Sequence, residues 1–543
     1  MNKSKQNKAK IFWFKKWSKK NYSIFASIGK QICISVLAFS YSLISLQGYS
    51  QKDKSTKTII DSDTLPEVEI NADENDILDL LNIEIQTITN LEGFSSASKT
   101  ELPKLLPALE IRQRGSYGVQ GDLQFRGGSP EQCLVLLNNI PINNAQTGHH
   151  NLNIPVPDIA INKVSIFSVG ENIANIAGAY SGLLKYSTIK PKGNNIGLNL
   201  FSGSHKFLKA EILSNFEIKK LKNLISVARE QSSGYKANTD FKTTKLYYNS
   251  NLKIKKQKLE FEIGASKKEF GAQGFYSNAF PIQFEKIITS FSAINYQNYG
   301  KTPFQASIYW KRTYDRFELF RESFYAFENG FYIWDKDTAR YSQSSFYEGH
   351  NYHLSDNLGA STLITKPIKH GKLITGFNYN FEHIFSNVLG NNLTVFKNNI
   401  FENSILFNKS AERHTSYGFI SFDSKKHKKL KLNAQINALF YNIFPLINGG
   451  ISLHYLPKNN LRLWLSANSS SRLPSFTELY YSTATNIGNA SLKAETANNY
   501  ELGKQFHYKN LEIQNRIFVI WGKNTIDWVR KPDETIYYAM NHT

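Results

Sequence analysis

Apolar and polar side chains alternate along the last two thirds of the chain, in segments of about ten residues separated by polar turns. The alternation is clearest in residues 259–266, 372–381 and 430–440, where an apolar or aromatic residue occupies nearly every second position. Two is the period of a β-strand, because successive side chains point to opposite faces. The pattern predicts one antiparallel strand after another over residues 191–543, and a mostly β protein.

Segment length and composition discriminate between two β architectures. Strands of about ten residues, with one apolar face, one polar face and aromatic ends, are typical of a transmembrane barrel. A soluble sandwich alternates in the same way but usually has shorter strands and a less aromatic outer face. The chain holds 37 Phe, 29 Tyr and 7 Trp. It has no uninterrupted apolar run of about 18 residues, the length that a transmembrane helix needs. The sequence favours the barrel and excludes a helical membrane bundle.

The first 50 residues have the composition of an export signal. Nine lysines and no acidic residue occur there, the apolar stretch is 32–46, and the small residues Gly48 and Ser50 follow. This order predicts a secretory signal peptide over residues 1–50; the alternative is a buried helix with a basic tail. Its removal lowers the net charge from +21 to +12. The remaining charge suits lysines in solvated turns better than a nucleic-acid partner.

The next two segments differ in character. Residues 51–75 are polar around one short apolar island. Residues 76–190 predict a compact α/β domain, with a short helix broken by prolines at 102–109 and strands at 133–137 and 161–169. Asn138-Asn139 between two apolar runs predicts a tight hairpin turn. With the signal removed, Cys133 is the only cysteine, so no internal disulfide is expected.

Three motifs in the α/β segment resemble the plug domain of TonB-dependent outer-membrane receptors. They are LPALEIRQRG at 106–115, DLQFRGGS at 122–129 and VLLNNIPIN at 135–143. Residues 179–190 are similar to the closing strand of that plug. Within the family, RQRG at 112–115 together with QTGHHNLN at 146–153 is most similar to the cobalamin-receptor type.

Later segments resemble the barrel of the same receptors, notably FGAQGFY at 270–276, RLPSFTELY at 472–480 and residues 488–503. The resemblance implies a signal peptide at 1–50 and a periplasmic segment at 51–75. A plug at 76–190 then lies inside a transmembrane antiparallel β-barrel at 191–543. The apolar island is then similar to the energy-coupling (TonB) box, an extended segment able to add to a partner's sheet. The box comprises Thr64, Leu65, Pro66, Glu67, Val68, Glu69 and Ile70.

The family pattern also sets an expected strand number. Its barrels have roughly 22 strands, and each strand with its connection takes about 20 residues. Residues 191–543 have room for about 17 strands, and an open edge in lipid is not tolerated. We therefore expect the sequence to be incomplete at its C-terminus.

One charge in the plug motifs needs a partner if it is buried. Arg126 lies in a glycine-flanked strand, and a buried arginine must be paired. The candidate partners are Glu495 and Glu501, and alternation with Leu502 places Glu501 on the lumen side. Such a pair would lock the plug to the barrel, whereas a solvated lumen charge is the alternative.

The polar stretches 113–120 and 143–153 are expected in apical plug loops, where a rigid scaffold usually carries recognition residues. Six side chains there could hydrogen-bond to or stack on a large polar ligand, although some could equally pack the plug against the barrel. They are Arg112, Arg114, Tyr117, Gln146, His149 and His150.

No other chemistry is indicated by the residues. Adjacent histidines in a strand point to opposite faces, and Cys133 begins an apolar strand, so His149-His150 with Cys133 predicts no metal or thiol site. No nucleophile–base constellation or nucleotide loop occurs, and the expectation is a non-enzyme without a cofactor.

The resemblance implies an outer-membrane receptor of a Gram-negative bacterium. Such a receptor binds a corrinoid, or as second choice a ferric siderophore, and imports it with energy from the inner-membrane TonB complex. Outer-membrane lipid is an expected partner, and a surface lipoprotein is left open. The alternatives are a passive barrel, either a porin or an adhesin, and a truncated receptor without function.

Overall fold

The structure is a computed structural model. It describes residues 84–88, 99–106, 108–117, 119–169, 178–276, 280–322, 324, 326–328, 331–335, 340–343, 349–424, 429–441, 445–458, 460–483, 485–509 and 511–542. The predicted signal peptide and the coupling box lie outside these residues. Within them, no helix combines the length and the apolar character needed to cross a membrane.

The plug is built on a five-stranded sheet. Its order is β1-β6-β7-β4-β5, with β4 parallel to β7 and the other pairs antiparallel. A separate hairpin joins β2 to β3. The strands are β1 (Glu84–Ile88), β2 (Leu109–Arg114), β3 (Gln120–Phe125), β4 (Cys133–Leu137), β5 (Ile140–Pro141), β6 (Ile161–Phe167) and β7 (Gly182–Thr188).

Local sequence explains the short elements of the plug. Asn138 has φ +53° in the predicted turn between β4 and β5, a conformation that asparagine tolerates better than most residues. The helix predicted at 102–109 is a 3-10 helix that begins earlier and contains Pro103. The described part of the plug contains the 3-10 helices Lys99–Leu105, Pro130–Gln132, Gly148–His150 and Asp158–Ala160.

Most of the described residues after 190 form one large antiparallel sheet, here called the wall. Fifteen strands follow one another along its path from β8 to β27, and β20 pairs with β21 beside it. The wall strands are β8 (Asn195–Gly203), β9 (Phe207–Ile218), β10 (Leu221–Ser232), β11 (Phe241–Ile254), β12 (Gln257–Gly271), β13 (Phe284–Asn298), β14 (Phe304–Glu318), β18 (Asn351–Ile368), β19 (Gly371–Ser386), β20 (Asn391–Asn398), β21 (Leu406–Ser424), β22 (Leu430–Phe440), β23 (Leu446–Lys458), β24 (Leu461–Arg472), β26 (Glu495–Tyr508) and β27 (Leu511–Lys523).

Among the residues after 190 that the structure describes, two small sheets and one α-helix lie outside the wall. One sheet comprises β15 (Ala326–Glu328), β16 (Phe331–Asp335) and β17 (Arg340–Gln343). In the other, β29 (Tyr537–His542) pairs with β28 (Thr525–Arg530) and with β25 (Asn486–Ile487). The α-helix α1 spans Phe476–Tyr480.

The wall reverses the usual distribution of polarity. In β12 the side chains of Leu259, Phe261 and Ile263 are exposed, whereas Glu260 and Glu262 between them are buried. Exposed apolar residues and buried polar ones alternate in this way along most wall strands. An apolar outer face and a polar inner face are what a strand needs between lipid and a filled lumen. The alternation read from the sequence therefore describes a transmembrane wall.

The plug touches this wall on many sides. Lys209 of β9 pairs with Asp158 at 2.7 Å, and Lys268 of β12 donates to the Val119 carbonyl at 2.8 Å. Arg126 reaches Glu501 on β26, which lies near the other end of the strand path. The sheet thus curves around the plug, which fills its lumen.

Connections at the two ends of the wall differ in length. One end has short turns, such as 219–220, 255–256 and 369–370, whereas at the other end β14 is followed by the next wall strand only at Asn351, and β24 only at Glu495. Barrels of this kind place short turns in the periplasm and long loops outside. The long-loop end is therefore the extracellular end.

Gly264 on β12 lets the plug backbone come very close to the wall. A Cβ atom at Gly264 would lie 2.5 Å from the Pro155 carbonyl oxygen. Gly264→Ala should destabilise the docked plug by about 1–3 kcal/mol through overpacking. The measurement is the urea concentration at which a maleimide labels Cys133, a buried thiol of β4. That concentration should fall in Gly264→Ala. Gly418→Ala on β21, where a Cβ meets nothing within 4 Å, is the matched control; equal midpoints in both variants would contradict the packing argument.

Candidate functional site

A buried ion pair joins the plug to the wall at β26. Arg126 Nη2 lies 2.5 Å from Glu501 Oε2, and the two side chains are 6% and 5% exposed. The guanidinium also stacks over the Phe518 ring at 4.4 Å. Arg126 follows β3 in a turn with φ +50°, so the prediction that it lies within a strand is wrong. That backbone conformation brings its side chain to the wall.

Glu501 is held on both sides. Trp464 Nε1 donates to its Oε1 at 2.7 Å, and Arg516 Nη1 lies 2.6 Å from the same oxygen. Leu502, the next residue, is exposed on the outer face. Two wall groups therefore fix the carboxylate before Arg126 reaches it, which favours a single docked position of the plug.

Glu495, the other predicted partner of Arg126, contacts the plug through a different residue. Gln132 Nε2 donates to Glu495 Oε2 at 2.9 Å, and Arg472 Nε lies 2.8 Å from the same oxygen. The backbone N–H of Ile526 donates to Oε1 at 2.6 Å. Glu495 is fully buried, so these donors supply the compensation that a buried carboxylate requires.

Arg472 extends this network into the extracellular loop 473–494. Its two terminal nitrogens bind Glu478 of α1 at 2.9 and 3.0 Å. Ser475 caps α1, and its backbone N–H donates to Glu478. Both charged residues lie in the RLPSFTELY motif, where no site role was predicted for them. Buried opposite charges six residues apart were the available signal.

Arg114 of β2, Asp122 of β3 and His149 of the 3-10 helix Gly148–His150 form a charged cluster. The expectation that Arg112 and Arg114 lie in apical loops is wrong, because both belong to β2. Asp122 lies 3.0 Å from Arg114 and 2.6 Å from His149 Nδ1. Burial disfavours the charged Asp122, but the hydrogen bond and charge of His149, with Arg114, outweigh it and lower the pKa of Asp122. Burial likewise opposes the charged imidazole, but the bond to Asp122 and its charge raise the pKa of His149. Arg114 also donates to the Phe275 carbonyl of the wall loop.

The other four candidate ligand residues are not gathered at one point. Arg112 is exposed, and Tyr117 stacks on Phe207 of the wall with ring centroids 3.9 Å apart. Gln146 and His150 are buried against wall strands β13 and β14. A role of these side chains in ligand binding stays a prediction.

Histidines 149 and 150 lie in the 3-10 helix Gly148–His150, so the expectation that they lie in a strand is wrong. They still point to different partners: His149 contacts Asp122, whereas His150 contacts Asp315 at 3.3 Å. Cys133 is buried next to Ser181, with its Sγ 3.5 Å from the hydroxyl oxygen. Burial raises the pKa of the Cys133 thiol to about 12, so it remains protonated and unreactive while the plug is folded.

An open cavity separates part of the plug from the wall. Asparagines supply much of its lining, with Arg413 and Glu382 on the wall side. Arg413 Nε donates to Glu382 at 2.7 Å, and its Nη1 donates to the Pro474 carbonyl at 2.6 Å. The lining asparagines are Asn139, Asn143, Asn144, Asn151, Asn357, Asn378 and Asn380.

A plug that fills a lipid-facing wall and is tied to it by buried charges defines the class of plugged outer-membrane receptors. The family model "TonB dependent receptor-like, beta-barrel" matches residues 226–541, more than half of the chain. The chain belongs to the TonB-dependent receptor family, whose members are outer-membrane proteins.

Individual relatives are distant. Vitamin B12 transporter BtuB of Vibrio vulnificus (strain YJ016) is 26% identical over 110 residues, which is 20% of this chain and 18% of that protein's length. The siderophore receptor PirA of Pseudomonas aeruginosa is similar in structure with a TM-score of 0.63 at 13% identity, covering 84% of this chain and 79% of PirA. The copper transporter OprC reaches 0.64 at 12% identity, covering 82% and 72%. At these identities the solved structures show the fold alone.

The Arg126–Glu501 pair should dominate the attachment of the plug at β26. Arg126→Gln leaves a buried carboxylate with one fewer cation, at a cost of about 3 kcal/mol. Because unfolding limits access to the thiol, maleimide labelling of Cys133 should become on the order of 100-fold faster. Arg312→Gln, which removes an ion pair to Asp356 within the wall, is the control and should change labelling little. Wild-type labelling rates in Arg126→Gln would contradict the role of the pair.

The Asp122–His149 pair should make plug stability depend on pH. Because the folded pKa of His149 is raised, its contribution to plug stability is complete below about pH 6.5 and is lost as the pH rises through the folded pKa. Because the folded pKa of Asp122 is lowered, its contribution is present above about pH 4. His149→Gln should therefore lower the urea midpoint of Cys133 labelling at pH 6. The corresponding loss in the free energy of unfolding is about 1 kcal/mol or less, because the pair is part-exposed. The difference from wild type should shrink at pH 9. His414→Gln, outside the plug, serves as control; a difference independent of pH would exclude the ion pair.

Proposed function

We propose that this chain is an active-transport receptor. It binds a scarce, bulky ligand at its extracellular end and releases the ligand into the periplasm when the inner-membrane TonB complex pulls on residues 64–70. The observation that carries the proposal is the plug-to-wall attachment through Arg126 and Glu501. This attachment is strong at rest, yet it consists of separable polar contacts rather than a continuous apolar core.

The attachment suits a mechanical release. When the two charges of a buried ion pair move apart by a few ångströms and water enters between them, the higher dielectric constant removes most of their Coulomb energy. Arg126 lies in a turn after β3, so a pull transmitted through the plug acts on the pair from one side. Glu501 stays fixed by Trp464 and Arg516, which returns the site to its docked form.

The ligand proposal is a corrinoid first and a ferric siderophore second. The local likeness to the vitamin B12 transporter favours a corrinoid, whereas a structural neighbour is a siderophore receptor. Exposed Arg112 and the half-buried Arg114, Tyr117 and His149 offer donors and an aromatic face to a large polar molecule. The buried Gln146 and His150 would contribute only after the outer plug loop moves.

Partners follow from the same proposal. The coupling box would pair as a strand with the TonB protein, and the exposed apolar wall residues would contact outer-membrane lipid. A surface lipoprotein over the extracellular loops is a further proposed partner. A passive porin or adhesin is the competing function, and a receptor without transport activity is the third.

Deletion of residues 64–70 separates active from passive transport. Outer-membrane fractions and whole cells are tested with radiolabelled cobalamin, with excess ferric siderophore as competitor. We expect the deletion to abolish energy-dependent uptake while cobalamin still binds, because the box lies outside the plug. A deletion of equal length at 52–58 is the control. Uptake that survives loss of the box would rule out the active mechanism. Absence of cobalamin binding would remove the corrinoid, and direct binding of a radiolabelled ferric siderophore would then test the second ligand.

A further inference from the structure

A buried cluster at the outer end of the plug lies apart from the Arg126–Glu501 attachment. His150 of the plug faces Glu285 of β13 and Asp315 of β14, with His150 Nε2 at 3.8 and 3.3 Å from their carboxylate oxygens. The three side chains are 2–5% exposed, and their ligand-type atoms all lie within 4.8 Å of one another. We propose that these residues bind a divalent transition-metal ion of the Zn²⁺ type that joins plug and wall.

Charge balance favours this occupant. Two buried carboxylates facing one imidazole leave excess negative charge even when the imidazole is protonated, and buried unpaired charge is costly. The neighbouring Lys268 Nζ is bonded to Val119 and Asn153, and Arg114 is bonded to Asp122. A doubly charged cation would neutralise both carboxylates at once.

The types of donor atom and the unpaired buried polar atoms also support a Zn²⁺-type ion. Zn²⁺ takes imidazole nitrogen and carboxylate oxygen at about 2.0–2.2 Å, so donor atoms 3.3 and 3.8 Å apart suit one shared ion. Ca²⁺ and Mg²⁺ prefer all-oxygen sites. Among the described residues, Asp315 Oδ1 and Gln146 Oε1 are buried without a hydrogen-bond partner. Both belong to side chains at this cluster, because Gln146 Nε2 donates to Asp315 Oδ2 at 2.8 Å.

The surrounding residues can orient the ligands. Tyr276 donates to Glu285 Oε2 at 2.7 Å, which leaves Oε1 toward His150. Asp315 stands opposite His353 in the β14–β18 ladder, so a second imidazole lies one strand away. The Asn153 amide nitrogen lies 3.3 Å from His150 Nδ1. Metal binding through Nε2 requires a proton on Nδ1, so the Asn153 amide must turn its oxygen to that nitrogen and give up the bond that this oxygen accepts from Lys268 Nζ.

This last requirement predicts a gain of affinity as well as losses. Asn153→Asp supplies an acceptor for Nδ1–H, and such partners tune metal affinity by about 10–100-fold. We expect it to tighten Zn²⁺ binding at least about ten-fold. His150→Gln and Asp315→Asn should abolish one Zn²⁺ equivalent, and Tyr276→Phe, which leaves all three ligands in place, should weaken binding about ten-fold.

The test uses the full chain purified in detergent and stripped with a chelator, in a His350→Gln background that removes a second, more exposed His–Glu cluster. Zn²⁺ binding is measured by titration calorimetry and metal analysis, Co²⁺ absorption reports nitrogen ligation, and Ca²⁺ is the contrasting ion. His149→Gln is the matched control and should keep the site. Heat-modifiable migration on a gel selects folded variants. Equal Zn²⁺ stoichiometry with and without His150, or unchanged affinity in both Tyr276→Phe and Asn153→Asp, would overturn the proposal.

Discussion

The need to pair every charge buried between plug and wall governs this structure. The wall turns its apolar residues toward lipid, so its polar and charged residues must face inward. A carboxylate such as Glu495, fully buried, is stable there only because donors of the wall and of the plug converge on it. The plug is therefore part of the electrostatics of the wall as well as a filling of its lumen.

The fold could be predicted from the sequence because the membrane imposes a simple rule. Leu259, Phe261 and Ile263 alternate with Glu260 and Glu262, and a strand between lipid and a polar lumen explains that order together with the length of the segments and their aromatic residues. Asn138 at a turn and Pro103 in a short helix are local backbone signals, which could also be recognised in the sequence. Strand ends were less predictable, since β6 ends at Phe167 rather than at residue 169.

The site was harder to predict because it depends on pairings distant in sequence. Arg126 and Glu501 are 375 residues apart, and alternation could place Glu501 in the lumen but could not choose it over Glu495. Gln132, which donates a hydrogen bond to Glu495, is a neutral side chain, and no sequence pattern marks it as a partner. Tyr117, Gln146 and His150 have the composition of ligand-binding loops, yet they pack on the wall, because apical loops of a plug have a barrel surface within reach.

The free energy needed to separate the plug from the wall differs between two regions of their boundary. Around Arg126, Gln132 and Arg472, separation leaves buried carboxylates without their partners, at several kcal/mol for each. Along the open cavity the facing groups include Asn143 and Asn144 of the plug and Asn380 of the wall. An amide that loses a partner costs about 1–3 kcal/mol, and less where water replaces the partner. The boundary is thus weakest where asparagines line it and strongest where charges cross it, so a force on the plug would widen the cavity before it broke the ion pairs.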